Sequence, residues 1–140
     1  SAPRRLGTAD EILPADQRVI ATPTQVYARP DLSSFAWASL RRGITVQALR
    51  HAPGFEQVEY VEYDQEPARH FITMRIRGWV PAETLAHARR RTFFHLTCLA
   101  DTPARWTTFA DNHTFTLFWA PLDALPPIVP PQAAWPAWLK

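Results

Sequence analysis

The sequence predicts a mainly β fold, an α+β chain with little helix, and three observations carry that prediction. Residues 70–77 alternate with period two, so Ile72, Met74 and Ile76 share one face and Thr73, Arg75 and Arg77 the other. Short strand-like runs follow one another with tight turn signals between them, Ala52-Pro53-Gly54 first and Gln65-Glu66-Pro67 next. The composition includes 14 prolines against 4 glycines, which disfavours long uninterrupted helices. At 140 residues, 46% of them hydrophobic and 12% aromatic, the chain has material for a core, and wholesale disorder is not expected.

Taken in order, residues 1–21 hold one short apolar run and read as an N-terminal strand or linker. Residues 44–48 alternate with period two, and 55–63 form the next strand after the Pro-Gly turn. These runs, with 70–77, predict consecutive antiparallel strands in a small barrel or meander over 22–86. The segment 87–140 differs in character. Residues 82–91 carry good helix formers behind Pro81, which suits a first helical turn. Residues 91–99 read as a strand, and Asp101-Thr102-Pro103 as a helix start leading into Ala104-Arg105-Trp106. Residues 114–119 are apolar on both faces and predict a central strand. A proline-rich stretch follows, then a short terminal helix over 132–139 that holds Pro136 and offers Trp135, Trp138 and Leu139 for docking.

Charge narrows the function classes. The net charge is only +2, too small by itself to call for nucleic acid, and Lys140 is the sole lysine. Glu56, Glu59, Glu62, Asp64 and Glu66 precede a basic stretch with Arg69, Arg75 and Arg77. That layout predicts neighbouring strands with complementary solvent faces rather than a phosphate-binding strip. Arg89-Arg90-Arg91 reads as a basic helix end, and Asp10-Glu11 as a turn cap. No stretch approaches the roughly 20 apolar residues of a membrane span, so no membrane partner is expected. One cysteine excludes an internal disulfide framework; Cys98, in an apolar run, is expected to be buried and inert. With no secretory signal in the sequence, the expected location is cytoplasmic. The five histidines show no metal-ligand spacing, although His95 and His113 could face one another across paired strands.

Two segments resemble known families. Gln25-Val26-Tyr27-Ala28-Arg29-Pro30, Leu40-Arg41-Arg42-Gly43-Ile44-Thr45-Val46 and the closing Arg77-Gly78-Trp79-Val80-Pro81 resemble a bacterial SH3-like barrel. The resemblance implies peptide or ligand recognition, with Tyr27, Phe55, Trp79 and Pro81 as groove residues. Thr84 stands where the closing motif usually has tyrosine.

Arg5-Leu6-Gly7, Arg91-Thr92-Phe93-Phe94-His95-Leu96 and Trp119-Ala120-Pro121-Leu122-Asp123-Ala124-Leu125-Pro126 resemble the part of a Nudix hydrolase after its catalytic helix. On that reading the barrel is inserted into a partial Nudix-like mixed sheet. Phe94, Phe115 and Trp119 would pack the core, and Arg91 and His113 would reach a substrate phosphate. The family's reaction uses magnesium or manganese held by a box of paired carboxylates. No Glu-Glu or Arg-Glu pair occurs in this sequence, and Glu56, Glu59, Glu62 and Glu66 lie in a strand pattern as a solvated face. The resemblance therefore implies a chain that is non-catalytic alone, with no cofactor of its own. Its partners would be a missing upstream segment, another chain or a second copy. A stand-alone SH3-like binding module is the alternative.

Overall fold

The computed structural model describes residues 2–65, 68–110, 112–129 and 132–139. It is mainly β, and the chain divides into two units, Ala9–Arg91 and the pair of segments Ser1–Thr8 and Thr92–Lys140. Eleven strands run in order: β1 (Arg4–Ile12), β2 (Gln17–Ile20), β3 (Thr24–Tyr27), β4 (Ala36–Leu40), β5 (Thr45–Ala52), β6 (Phe55–Tyr63), β7 (Ile72–Pro81), β8 (Leu85–Ala86), β9 (Ala88–His95), β10 (Arg105–Ala110) and β11 (His113–Phe118). Strands β1 and β9 pair with each other, and the boundary between the units falls within both.

The Ala9–Arg91 unit is built on a curled sheet of order β4–β3–β7–β6–β5–β2–β8. Its centre is the long β6–β7 ladder, which runs from Phe55 opposite Pro81 to Tyr63 opposite Ile72. Period-two alternation sends Val26, Leu40, Val46, Val58 and Val80 to the inner face, where they meet Ile20 in a fully buried cluster. Ile76 also packs there, whereas Met74 and Ile72, farther along the same face, stay 42% and 39% exposed. The predicted β5–β6 turn is a hairpin: Gly54 takes φ +74°, a left-handed conformation that costs glycine nothing. Of the next expected turn, Glu66 and Pro67 lie outside the described residues. Relative to the expected 22–86, this unit extends back to Ala9 and forward to Arg91, and its sheet includes β2.

Both internal helix expectations are corrected. Residues 82–91 form one 3₁₀ turn (Ala82–Thr84) followed by β8 and the start of β9. Helix propensity yields to pairing: Ala86 and Leu85 lie opposite Val19 and Ile20, giving β2 a second neighbour. Arg89-Arg90-Arg91 is therefore no helix end, and Asp10-Glu11 caps no turn; they are strand residues of β9 and β1. After Asp101-Thr102-Pro103 the chain enters β10, because Trp106, Thr107, Thr108 and Phe109 suit a ladder and find one in β11.

In the Ser1–Thr8 and Thr92–Lys140 unit, β10 and β11 form a two-stranded sheet. Strand β11 is thus not central, and all six of its residues are exposed. Phe94, Phe115 and Trp119, expected in a core, are 51%, 45% and 57% exposed. Trp119 packs against Trp106 with ring centres 6.0 Å apart and donates its Nε1–H to Thr102 Oγ1 at 2.7 Å. Cys98 is exposed rather than buried, since the strand ends before it at His95. His95 and His113 do not face one another on paired strands, because β9 pairs with β1 and β11 with β10. The terminal helix is 3₁₀ over Gln132–Leu139; Pro136 removes a donor that an α-helix needs. Trp138 docks as expected, stacked on Phe93 at 5.0 Å and 14°. Gly7 permits that seat, since a Cβ there would stand 2.6 Å from the Trp138 ring.

Candidate ligand-binding face

Four expected groove residues come together on the Ala9–Arg91 unit. Tyr27 at the end of β3 lies directly opposite Trp79 of β7, and Pro81, two residues on, lies opposite Phe55 of β6. Strand alternation decides the face. Val26, Val58 and Val80 point into the core, so Tyr27, Trp79 and Pro81, with Gln57 and Phe55, point outward. The Tyr27 and Phe55 rings meet edge to face at 6.4 Å. All four residues are half-buried, leaving part of each available on the surface.

Close backbone approach holds this face together. Gly78 sits under Val26 and the Tyr27 carbonyl; a Cβ there would come within 2.5 Å of Val26 Cγ1 and 2.9 Å of Tyr27 O. The Ala82 N–H donates to Gly54 O at 2.9 Å, tying the β5–β6 hairpin to the chain leaving Pro81. Thr84 is no groove wall. It is buried, and its hydroxyl donates to Pro81 O at 2.7 Å, so it fixes the proline from behind.

The sequence reading missed Arg50 and Gln57. Arg50 faces Gln57 across the β5–β6 ladder, beyond an irregularity between Ala48 and Arg50. Its guanidinium lies 5.7 Å from the Trp79 ring centre, and its Nε–H donates to Gln57 Oε1 at 2.8 Å. The bulge resets which side chains share a face, and alternation read from sequence has no means of locating it.

A second omission is a buried ion pair. Arg18 and Glu56 are only 6% and 8% exposed. Glu56 is therefore not part of a solvated face. Its Oε2 lies 3.1 Å from Arg18 Nε but off the N–H direction, and the hydrogen bond goes to Oε1 at 3.4 Å. The Arg18 Nη1 group donates to the carbonyls of Ala15 and Gln17, each at 2.8 Å, so the guanidinium keeps partners after desolvation. Exposed His51 stands at the rim, its Nδ1 3.4 Å from Glu56 Oε1.

Arg91 and His113, expected to reach a phosphate, belong to different units. Arg91 donates to Glu11 at 3.2 Å, while His113 meets Phe115 edge to face at 6.2 Å. Three further arginines, Arg75, Arg69 and Arg90, are also engaged. Arg75 lies 3.8 Å from Glu59, Arg69 covers the Tyr63 ring at 4.2 Å, and Arg90 forks onto Asp10. The Arg90 hydrogen bond holds the Asp10 carboxyl below its ordinary pKa. Backbone N–H groups of His70 and Phe71 do the same for Asp64. The complementary acidic and basic strands are thus β6 and β7, with Glu59 directly opposite Arg77. Among the described residues no group of three or more His, Cys, Asp or Glu could hold a metal ion.

No family model matches the chain, and neither a curated protein nor a solved structure matches it.

Proposed function

We propose that this protein is a binding module whose ligand is an extended, proline-containing peptide lying on Tyr27, Phe55, Trp79 and Pro81. The observation that carries the reading is the convergence of three aromatic rings and a proline from three adjacent strands onto one outward face. Aromatic walls favour a preformed extended helix because little conformational entropy is lost when it docks. Fixed rings add affinity on the protein side for the same reason. The test is a titration of the intact chain with a proline-containing peptide, followed by amide NMR. Shifts confined to β3, the start of β6 and the end of β7 are expected; shifts elsewhere, or none, contradict the reading.

A second reading is favoured by one feature, the interruption of the Ser1–Thr8 and Thr92–Lys140 unit by the intact Ala9–Arg91 unit. That arrangement supports the chain as the later portion of a Nudix-like hydrolase carrying an inserted module. Without the carboxylate box it would be non-catalytic alone and would act by completing a fold with an upstream segment or another chain. Incubation with magnesium and nucleoside diphosphate compounds tests this; turnover at enzyme rates by the chain alone contradicts it.

A further inference from the structure

We infer that the aromatic face is selective for acidic peptides, and that Arg50 reads a ligand Asp or Glu side chain placed beside the residue docked on Trp79. The inference rests on the peptide-binding reading above and adds the chemistry of the ligand. Arg50 is exposed, yet it is held at two points, by the Trp79 ring 5.7 Å away and by Gln57 Oε1 at 2.8 Å. Gln57 is itself only 8% exposed although it lies on the outward face opposite Trp79, so the acceptor that orients Arg50 is fixed.

The bond to Gln57 uses Nε alone. The two Nη groups meet no acceptor among the described residues, and they are the ends of a planar fork whose geometry matches a carboxylate. A guanidinium already stacked and hydrogen-bonded loses less entropy on ligand capture than a free one.

The charges around it point the same way. Glu56, the nearest acid in sequence, faces inward and is committed to buried Arg18. Glu59, on the outward face two residues from Gln57, has Arg77 opposite it and Arg75 at 3.8 Å. Arg77 itself is exposed two residues from Trp79 on the same face. Trp79 thus has Arg50 over its ring and Arg77 two residues away on the same face, and a basic ligand side chain beside it is disfavoured. One guanidinium fork suits a monoanionic carboxylate; phosphorylated side chains are characteristically met by several arginines.

The test uses the intact chain and three synthetic proline-containing peptides. Two are capped at both ends and differ only in Glu or Gln beside the central proline; the third carries Gln there and a free C-terminal carboxylate. The Glu peptide is expected to bind about tenfold more tightly than the capped Gln peptide at low salt, the scale of a charge-assisted hydrogen bond. The advantage shrinks as salt is raised. Arg50→Gln brings the affinities of the two capped peptides together, whatever its effect on the capped Gln peptide, and Arg50→Lys, which keeps charge but not the fork, restores only part of the difference. Equal affinity of the two capped peptides, both shifting the Trp79 amide, overturns the acidic preference and leaves the peptide-binding reading standing. Tighter binding of the free-ended peptide than of the Glu peptide overturns the side-chain assignment in favour of a chain end. Binding by none of the three overturns both.

Discussion

Arg18 and Glu56 show how much one buried pair can decide. Each is desolvated; Glu56 has Arg18 as its buried counter-charge, and the two carbonyls that also hold Arg18 carry no net charge, so losing one partner leaves the other's charge stranded in a low-dielectric setting. Glu56→Gln is expected to lower stability by about 3 kcal/mol, read from urea unfolding. Replacing both with apolar residues of similar volume should recover most of that loss, because the desolvation cost goes with the charges. An effect of Glu56→Gln no larger than a surface substitution would contradict the assignment. Neither role was legible in the sequence. Glu56 was one of several acids with strand-like neighbours, and only β2 pairing with β5, and β5 with β6, brings Arg18 near it. The juxtaposition of Tyr27, Phe55, Trp79 and Pro81 was legible because the opening and closing segments of the barrel resemblance hold Tyr27, Trp79 and Pro81, and Phe55 begins the strand after the Pro-Gly turn. Arg50 was not, since a bulge sets its direction.

At the scale of elements, the β6–β7 ladder positions the aromatic face, and Gly78 is a point of close approach within it. Gly78→Ala should destabilise the protein by about 1–3 kcal/mol, the cost of overpacking against fully buried Val26. It should also shift the Tyr27 and Trp79 amide signals, because the Tyr27 carbonyl must move with it; a neutral substitution would show that the ladder gives way easily. The far end of the ladder is tied by Asp64, whose carboxylate accepts from the backbone of His70 and Phe71. Its folded-state pKa is lowered, so its contribution is present above the ordinary carboxylate pKa of about 3.9 and is lost as pH falls through the lower folded value. Asp64→Asn should flatten that acid limb of the stability profile, measured by thermal unfolding across pH. This ladder was readable from period-two alternation and complementary charge. The strands β8 and β10 and the start of β9 were not, because Leu85, Arg89 and Trp106 are committed by partners that local propensity does not contain.

Across the whole molecule, burial is divided unequally between the units. Every described residue classed as buried lies in Ala9–Arg91, including the cluster of Ile20, Val26, Leu40, Val46, Val58 and Val80. In the other unit the β10–β11 sheet has two strands, a size that is marginally stable by itself in water. Amide hydrogen exchange on the intact chain should therefore show strong protection in β3, β5, β6 and β7 and weak protection in β10 and β11. Equal protection throughout would contradict that division. The sequence conveyed a change of character after Pro81, yet the apolar run ending at Phe118 looked like a core strand. Apolar residues on both faces say that a strand needs covering and do not say what covers it.

The most direct test of the central claim is an amide NMR titration of the intact chain with the capped, Glu-containing proline peptide. Saturable shifts at Tyr27, Phe55 and Trp79, lost in Trp79→Ala while the core signals of Val58 and Val80 persist, are the predicted result. Unchanged signals at those three positions, or shifts that survive the loss of Trp79, would contradict the assignment of this face as the binding site.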